Sequence, residues 1–519
     1  MRVMLIDPPG ANKGLNTGLA YLAGALESGG HEASVLDLNN LTPGRLGGAN
    51  PSVPAEVWRR ELGQALDGFA PGLVGVSVKT FTSRVAAEII ATVQRMRPSV
   101  TLVVGGPHVT LDGARYVQET GASIGVIGEG EMSVPEICRA VERGESPDDI
   151  RGIVWRRGDE IVVNESRPAL RDLDELPYPS YGVLSSVQRQ PTMLHEYPLL
   201  TSRGCPFSCS YCSMPTLMGR RWRARSPANV FGELRKAVDE TGASSFTIVD
   251  DNFTLDISRA EAICDALIAG GLAMPWSSQN GLRADRLTAT LIEKMRRSGC
   301  YHVWIGIESG DEEVFKSIDK GEKLEHIKAG IRALQAAGIK VGGFFIIGLP
   351  GATRKSDLRS LGLAKELGIE AWWFNFVPYR YTRAWDWVQD HGTGLRSSEG
   401  TPQYGSVRME PVFETPEYSR KERIATYQEV HVRLGYFERL VDPSATSSAR
   451  VAYLLKVVPR YGPAAVLSLA RYQVANLVHH IWRGLGLQGA SSGGEVTETV
   501  ENATSQNLAP SPIRPLEEQ

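Results

Sequence analysis

The sequence has no long apolar run, little net charge and few cysteines. No stretch reaches the roughly 18 apolar residues of a membrane-spanning helix, so none is predicted. The 56 basic residues nearly balance the 59 acidic ones, and a net charge of −3 gives no electrostatic reason to expect nucleic acid as a partner. Six cysteines without a secretory pattern predict a reducing, cytoplasmic compartment.

Three of the cysteines share one short segment, TSRGCPFSCSYCSMP, at residues 201–215. Cys205, Cys209 and Cys212 have the spacing C-x3-C-x2-C, and three thiolates on one loop can bind three irons of a [4Fe–4S] cluster. The fourth iron is then open to the amino and carboxylate groups of S-adenosylmethionine. A zinc site is the alternative, but the second ligand pair that zinc normally needs is missing. The remaining cysteines are predicted to be ordinary buried thiols: Cys138, Cys264 and Cys300.

Residues 1–150 alternate between short apolar strands and helical lengths. This alternation predicts an α/β domain with a doubly wound, Rossmann-like parallel sheet, whose ligand lies beyond the carboxyl ends of the strands. Glycines are frequent at those ends, for example in GGPHVT and GVIGEGE, so that a large flat ligand could approach the backbone. No G-x-G-x-x-G follows the first strand, which argues against a dinucleotide.

A second β/α run begins with the cysteine segment. Its spacing predicts a partial (β/α)6 barrel of the TIM type at residues 196–391, with the chemistry at the carboxyl ends of the strands. Residues 151–195 are predicted to connect the two domains and to include a β-hairpin that turns at Gly158 and Asp159. A helical region is predicted at residues 392–487 and a disordered tail at residues 488–519, which contains no aromatic residue.

The cysteine segment resembles the radical S-adenosylmethionine enzymes, whose motif is C-x3-C-x-aromatic-C, with Tyr211 as the aromatic residue. Together with this motif, the strings LIDPPG, GGPHVT and GVIGEGE resemble the cobalamin-binding domain of the cobalamin-dependent members of that family. The resemblance covers about residues 1–390. It implies three cofactors, namely a [4Fe–4S] cluster, S-adenosylmethionine and cobalamin.

The resemblance also implies positions for the cofactor-binding residues. Near the corrin or its nucleotide tail it would place Asn16, Gly18, Ser77, Gly106 and Gly130. No D-x-H-x-x-G occurs, so no histidine of that motif is supplied to cobalt; His108 is the only nearby candidate, and hydrogen bonding is the more common role of a loop histidine. Strand-end residues expected near S-adenosylmethionine are Asp250, Asp251, Arg283 and Glu308.

The end of the sixth barrel strand departs from the family, which more often has Pro-x-Pro-Gly-Thr there. This chain has Pro378-Tyr379-Arg380-Tyr381-Thr382. Tyr379, Arg380 and Tyr381 are therefore the candidate catalytic residues, in a pocket for an aromatic, hydrophobic or anionic substrate. The alternative is a packed cover on the end of the barrel, because aromatic residues dominate cores as well as sites.

The resemblance implies a C-methyltransferase. A radical would abstract hydrogen from an unactivated carbon of a small metabolite, and methylcobalamin, loaded from S-adenosylmethionine, would deliver the methyl group. One alternative is a radical S-adenosylmethionine enzyme that catalyses oxidative cyclisation or rearrangement without methyl transfer. Another is a non-catalytic corrinoid-binding scaffold. The expected partners are a small-molecule substrate and an electron donor such as flavodoxin or ferredoxin.

The sequence between Asp442 and Glu495 contains no acidic residue but several arginines and lysines. An apolar helical face is predicted there, formed by Val466, Ala470, Val474, Leu477, Val478 and Ile481. This face either packs on the barrel or lies on anionic lipid, as basic amphipathic helices can do. The second possibility predicts a cytoplasmic protein with peripheral membrane contact.

Overall fold

A computed structural model describes residues 1–10, 13–42, 53–397, 399–400, 409–441 and 445–484, with side chains up to residue 474. The predicted tail at residues 488–519 and parts of the predicted helical region lie outside the described residues. The amino-terminal strands are β1 (Arg2–Asp7), β2 (Glu32–Asp37), β3 (Leu73–Ser77), β4 (Thr101–Gly105) and β5 (Ile124–Val126). The helices that alternate with them are α1 (Thr17–Ser28), α2 (Ala55–Phe69), α3 (Ser83–Met96), α4 (Pro107–Thr120) and α5 (Ser133–Arg143).

The first five strands run parallel in the order β2-β1-β3-β4-β5. Their side chains are buried on both faces because helices cover both, and Val3, Ile6 and Val74 are fully buried. The strand order reverses direction beside β1, and this is the place where open α/β sheets bind their ligands. The predicted doubly wound domain is confirmed.

The predicted hairpin is present but belongs to the first sheet and not to a separate connector. It consists of β6 (Ile153–Arg157) and β7 (Glu160–Val163). β6 pairs antiparallel with β5, and β7 pairs antiparallel with β6. Since antiparallel pairing extends the sheet without a crossover helix, the sheet has seven strands and continues beyond residue 150.

The second sheet is a six-stranded parallel sheet, as predicted for a partial barrel. The short helix α6 (Ser185–Arg189) precedes it, and its strands are β8 (Glu196–Leu199), β11 (Ser245–Ile248), β12 (Trp276–Leu282), β13 (Cys300–Glu308), β14 (Lys340–Ile347) and β15 (Glu370–Asn375). The order is β15-β14-β13-β12-β11-β8. The helices along this run are α7 (Met214–Met218), α8 (Pro227–Thr241), α9 (Ile257–Ala269), α10 (Ala289–Arg297), α11 (Glu312–Ser317), α12 (Leu324–Ala336), α13 (Arg354–Leu367) and α14 (Arg383–His391).

A two-residue antiparallel pair interrupts this run directly after β8. It consists of β9 (Ser202–Arg203) and β10 (Arg223–Ala224). Residues 204–222, which contain the three clustered cysteines, lie between the two strands and are called the cluster loop below. The pair therefore forms the stem from which the cluster loop projects at the carboxyl end of the barrel sheet.

The carboxyl-terminal region contains a short strand pair and three helices. These elements are β16 (Thr393–Gly394), β17 (Phe413–Glu414), α15 (Arg420–Leu434), α16 (Ser447–Val457) and α17 (Pro463–Gly484). α16 and α17, together with the end of α15, belong to a compact unit that is distinct from residues 1–430. No helix among the described residues is long and apolar enough to cross a membrane.

The apolar face predicted for α17 is exposed where its side chains are described. Val466, Ala470 and Val474 are exposed, whereas Ala465 and Leu469, on another side of the helix, are buried. The side chains of Leu477, Val478 and Ile481 lie outside the described residues. The described part of the predicted face thus does not form a buried packing surface.

Candidate cofactor and substrate site

The cluster loop is held by backbone contacts at both ends and in its middle. Gly204 has φ +83°, and a Cβ there would lie 2.7 Å from the carbonyl oxygen of Arg221, so only glycine fits the narrow stem. Further along, the Ser210 N–H donates to the Ile318 carbonyl at 2.8 Å. The loop is thus fixed against the segment that follows β13.

The three clustered cysteines fit an iron–sulfur cluster. All are half-buried free thiols. Burial raises the pKa of Cys209 to about 12 and that of Cys212 to about 11; Cys212 and Cys205 raise the first further, and Cys205 raises the second. Such proximity of thiols fits a cluster, in which each thiolate binds a different iron.

The aspartates after β11 have different environments. Asp250 is 1% exposed, and its carboxylate accepts hydrogen bonds from the Thr201 N–H (2.5 Å), the Thr201 hydroxyl (2.5 Å) and the Ser202 hydroxyl (2.6 Å). Asp251 is exposed, and its Oδ2 accepts a hydrogen bond from the Gly204 N–H at 3.2 Å. Asp250 therefore anchors the start of the cluster loop, whereas Asp251 is the carboxylate accessible to a ligand.

Glu308 ends β13 in a strained conformation beside the cluster loop. Its φ is +65°, a region that residues other than glycine rarely adopt, and its side chain is almost buried. The Tyr211 hydroxyl donates a hydrogen bond to it, and burial together with this carboxylate raises the pKa of Tyr211. Lys320 donates to Glu308 Oε1 at 3.3 Å and also to the Gly306 carbonyl. The structure therefore brings Tyr211 and Glu308 together, as the sequence predicted that both lie near the cofactor.

A buried charge network lies beneath Glu308. Lys320 lies 3.1 Å from Glu322, whose other oxygen lies 3.0 Å from Arg283. Burial raises the pKa of Glu322 to about 7. Burial lowers the pKa of Lys320, but the nearby charges of Glu308 and Glu322 outweigh this effect, so the pKa of Lys320 is raised. The Arg283 guanidinium lies 3.5 Å from the ring centroid of Phe207, a residue of the cluster loop. Arg283 thus contacts the loop through a cation–π interaction.

On the cobalamin-binding side, the loop after β1 is organised by Asn16. Its side chain caps α1 by accepting from the Leu19 N–H and donates to Asp7 Oδ1 at 2.9 Å. Asp7 is 1% exposed, and its Oδ2 has no hydrogen-bond partner. Gly18 is exposed, and a Cβ there would contact only Asn16. An unpaired buried carboxylate oxygen at the carboxyl end of β1 fits a site for a polar ligand.

The other predicted cobalamin contacts lie at adjacent strand ends. Gly106, with φ +99°, packs against the backbone of Val78, and a Cβ there would lie 3.5 Å from the Ser77 hydroxyl. Gly130 follows β5 and is half-buried. These placements fit a ligand that approaches the backbone at the carboxyl edge of the sheet.

His108 is held within the protein at the start of α4. It is 2% exposed, its ring meets Tyr116 edge-on at 5.0 Å, and burial lowers its pKa. Its Nε2 lacks a hydrogen-bond partner and lies 3.5 Å from Glu399. The Nε2 of His108 therefore faces the Glu399 carboxylate, which lines the same cavity at the domain junction.

The loop after β15 connects the cluster loop to the first domain. At the start of α14, directly after this loop, the Ala384 N–H donates to the Ser210 carbonyl of the cluster loop at 2.9 Å. On the other side, the Tyr381 hydroxyl donates to Asp112 Oδ1 of α4 at 3.0 Å, and Arg380 lies 3.4 Å from the same carboxylate. The three candidate substrate residues thus span the junction of the two domains.

A cavity of about 160 Å³ lies at this junction. From the first domain it is lined by His108 and Asp112, and from the barrel by Tyr379 and Arg380. A further side is lined by Gly394, Arg396, Ser397, Glu399, Val412 and Phe413, and the Gly400 N–H donates to the Thr80 carbonyl at 2.9 Å. The predicted packed cover is therefore not complete, because a space with aromatic, cationic and acidic walls remains.

Several structurally important residues were not singled out from the sequence. Lys320 is one, although its position between two acidic residues in IDKGEK is a local charge signal. Another is Arg423 of α15, which is 1% exposed and donates to the Gly348 carbonyl at 3.2 Å. The Gly348 N–H donates to the equally buried Asp357 at 3.0 Å. A single sequence carries no signal for pairing positions 75 residues apart.

Comparisons with known proteins agree with this geometry. Residues 11–138 match the family described as a B12 binding domain, and residues 199–363 match the radical SAM superfamily. An uncharacterized methyltransferase of Pyrococcus horikoshii is 28% identical over 75% of this chain and 83% of its own length. The anaerobic magnesium-protoporphyrin IX monomethyl ester cyclase of Cereibacter sphaeroides is 26% identical over 72% of this chain and 60% of its own length.

A solved structure shares the fold. It is the radical S-adenosylmethionine methyltransferase TsrM from Kitasatospora setae with cobalamin and a [4Fe–4S] cluster bound; the TM-score is 0.62 at 19% identity, over 74% of this chain and 73% of TsrM. Both matched families occur in one chain here, and the cysteine loop and strand-end loops fit their cofactors. The chain therefore belongs to the cobalamin-dependent radical S-adenosylmethionine enzymes, which use a [4Fe–4S] cluster, S-adenosylmethionine and cobalamin.

Proposed function

We propose that this enzyme transfers a methyl group from S-adenosylmethionine, by way of cobalamin, to an unactivated carbon of a small metabolite. The observation that carries the proposal is the cavity at the domain junction. Tyr379 and Arg380 line it on the barrel side, where the nearby Ala384 N–H donates to the Ser210 carbonyl of the cluster loop, and His108 and Asp112 line it on the side of the cobalamin-binding domain. A substrate there could be reached from both cofactor sites, as hydrogen abstraction followed by methyl delivery requires.

The chain's own residues would bind and orient the reactants. When bound, the cluster and S-adenosylmethionine supply a hydrogen-abstracting radical, and the corrinoid supplies the methyl group. Cys205, Cys209 and Cys212 would hold the cluster. The exposed Asp251 would receive the ammonium group of S-adenosylmethionine, and the strained Glu308 would contact its ribose. Both carboxylates lie beside the cluster loop, where such contacts are required.

The cavity lining indicates the class of substrate. Trp385 and Phe413 supply aromatic surface, and Arg380 lies 5.8 Å from the Trp385 ring centroid. Aromatic walls bind rings by stacking, and a guanidinium binds carboxylate or phosphate. Tyr379, Arg380 and Tyr381 would therefore position a substrate that combines a ring or apolar body with an acidic group.

A second candidate function is oxidative cyclisation or rearrangement without methyl transfer. The similarity to a magnesium-protoporphyrin monomethyl ester cyclase favours it, since that relative covers nearly as much of this chain as the methyltransferase does. The non-catalytic scaffold is not favoured, because the cysteine loop and the carboxylates beside it are complete.

The test is a labelled-methyl experiment. The reconstituted enzyme is incubated under anaerobic conditions with a reductant, S-adenosylmethionine labelled with deuterium in its methyl group, and a cell extract as the source of substrate. We expect a small metabolite that carries the label in a methyl group on carbon. An altered metabolite without the label would contradict methyl transfer and support cyclisation or rearrangement. The Cys209→Ala variant is the control for other enzymes in the extract.

Two further partners are proposed. Radical formation needs a low-potential electron, which a flavodoxin or ferredoxin would supply.

We also propose that the carboxyl-terminal helices contact anionic lipid, because residues 445–474 contain cations but no acidic residue and have these exposed side chains: Val451, Leu455, Val466, Leu467 and Val474. Flotation with anionic vesicles should therefore recover the full chain but not a chain that ends at Val441. Equal recovery would contradict the lipid contact.

A further inference from the structure

Two glutamates of the cobalamin-binding domain form ion pairs with the stem of the cluster loop. Residues 128–131, called the acidic loop below, follow β5 and include Gly130, which is predicted to approach the corrinoid. Glu129 lies 3.0 Å from Arg203 and 2.8 Å from Arg223, and Glu131 lies 2.6 Å from Arg203. The acidic loop thus holds both strands of the stem.

The two arginines are placed for this contact by the register of the stem. Arg203 of β9 and Arg223 of β10 are directly paired residues of the antiparallel ladder. Paired residues of a ladder project to the same face, so that one carboxylate can accept from both guanidiniums. Arg203 is separated from Cys205 only by Gly204, and Cys212 belongs to the same loop. A displacement of the stem would therefore displace the cysteines.

These ion pairs are buried enough to matter energetically. The side chains of Arg203, Arg223 and Glu131 are 7%, 2% and 9% exposed. Removing one partner of a buried pair leaves an uncompensated charge, which is far more costly than losing a surface pair. Glu129 is the shared partner, so its neutralisation affects both arginines at once.

We propose that Glu129 and Glu131 are positioning residues that couple the cobalamin site to the geometry of the cluster. Occupation of the corrinoid site orders the acidic loop around Gly130, and the ordered glutamates fix the stem through Arg203 and Arg223. By linkage, an ordered cluster loop then favours corrinoid binding to the same degree. The inference depends on the proposed cofactor residues but not on the fate of the methyl group.

The first test compares Glu129→Gln with Glu136→Gln. Glu136 lies on α5 close to the acidic loop and pairs with Arg167, but it has no contact with the stem, so its variant is the matched control. Corrinoid affinity is measured by absorbance titration of each protein with and without its reconstituted cluster. We expect the cluster to strengthen corrinoid binding about fivefold or more in the wild type and in Glu136→Gln, and not at all in Glu129→Gln.

The second test separates positioning from simple stability. Iron content and the electron paramagnetic resonance spectrum of the reduced cluster, with S-adenosylmethionine present, are recorded for the same proteins and for Arg223→Lys. We expect an altered spectrum in Glu129→Gln and a spectrum close to the wild type in Arg223→Lys, which retains the charge. A Glu129→Gln protein that melts earlier but keeps both the wild-type spectrum and the fivefold coupling would overturn the proposal. Loss of methyl transfer with the coupling intact would instead count against the proposed function.

Discussion

The carboxyl ends of the parallel strands carry different kinds of residue in the two sheets of this enzyme. In the first sheet, the loops after β4 and β5 present glycines, and a Cβ at Gly128 would meet nothing within 4 Å. In the barrel sheet, the same edge presents charged side chains that are already paired, such as Asp250 with Thr201 and Glu308 with Lys320. At its glycines the first edge offers space, although the loop after β5 also carries the paired Glu129 and Glu131, whereas the second edge offers mainly fixed polar groups.

This difference between the two edges matches what each of the two cofactors needs for binding. A corrinoid is large and flat, and glycine loops let it approach the backbone along its whole edge. S-adenosylmethionine carries an ammonium group and a sulfonium that must be aligned with one iron, so its binding groups must be fixed before it arrives. Buried ion pairs and a strained Glu308 provide such fixation, at a cost in stability that a glycine loop does not carry.

The largest effect, on the cluster and on cleavage of S-adenosylmethionine, is expected from replacing the clustered cysteines, which are the sharpest difference between the two edges. Replacement of Cys205, Cys209 or Cys212 by alanine should abolish the visible absorbance of the cluster and the reductive cleavage of S-adenosylmethionine, while the corrinoid still binds, with an affinity lowered by about fivefold. Each thiolate supplies a different iron, so none is redundant. Iron content, absorbance and 5′-deoxyadenosine are the measurements.

The isolated cysteines are the matched controls. Alanine at Cys138, Cys264 or Cys300 removes a buried thiol that lies outside the cluster loop, and these variants should keep both cluster and cleavage. A full cluster spectrum in all three variants of the loop cysteines would refute the assignment.

The next effect tests whether the barrel edge is fixed by buried charge. Lys320→Met leaves Glu308 buried without a cation and leaves Glu322 with Arg283 alone, which should cost about 3–5 kcal/mol. Lys294→Met is the control, because Lys294 pairs with partly exposed acids, and such pairs contribute little to stability. Thermal unfolding and S-adenosylmethionine affinity should both decline in Lys320→Met. Equal behaviour of the two variants would show that the network is dispensable.

We expect the stability of the protein to depend on pH through Asp357, which accepts a hydrogen bond from Gly348 in the loop at residues 348–351. Burial raises the pKa of Asp357 to about 7, so the stability contributed by its protonated form is complete below about pH 4 and is lost as pH rises through 7. The side chain in Asp357→Asn is uncharged at every pH, so the variant avoids this loss of about 2–4 kcal/mol in the free energy of unfolding. The melting temperature of the variant relative to the wild type should therefore rise between pH 5.5 and 8.

The control for this pH dependence is Asp159→Asn, on the exposed hairpin turn between β6 and β7. Its melting temperature should follow that of the wild type at every pH. A difference between Asp357→Asn and the wild type that does not change with pH would show that Asp357 is charged in the folded protein throughout this range.

The smallest effect concerns the glycine-rich edge of the first sheet, where we expect cobalamin to bind without a histidine ligand on cobalt. His108 is packed against Tyr116 and Glu399, and the D-x-H-x-x-G motif is missing. The electron paramagnetic resonance spectrum of the Co(II) state should show no nitrogen splitting from the protein, and His108→Ala should leave it unchanged. A nitrogen triplet that disappears in His108→Ala would contradict this expectation.

The sequence predicted the local features of this fold well and the long-range ones poorly. The cysteine spacing and the apolar strands are local patterns, and they identified the cluster loop and both sheets. The place of the hairpin did not follow, because β6 pairs with β5 through a register that no local pattern encodes. Likewise, Asp250 and Asp251 are neighbours in sequence, yet only the hydrogen bonds from Thr201 and Ser202 show that the first is an anchor and the second is accessible.

The most direct test of methyl transfer needs no substrate. The enzyme, loaded with its cluster and corrinoid, is reduced under anaerobic conditions with S-adenosylmethionine, and S-adenosylhomocysteine and 5′-deoxyadenosine are quantified; corrinoid-free enzyme is the control. A methyltransferase should form S-adenosylhomocysteine only when the corrinoid is present, whereas 5′-deoxyadenosine should depend on the cluster cysteines. Formation of 5′-deoxyadenosine without S-adenosylhomocysteine in the fully loaded, reduced enzyme would contradict the proposed methyl transfer.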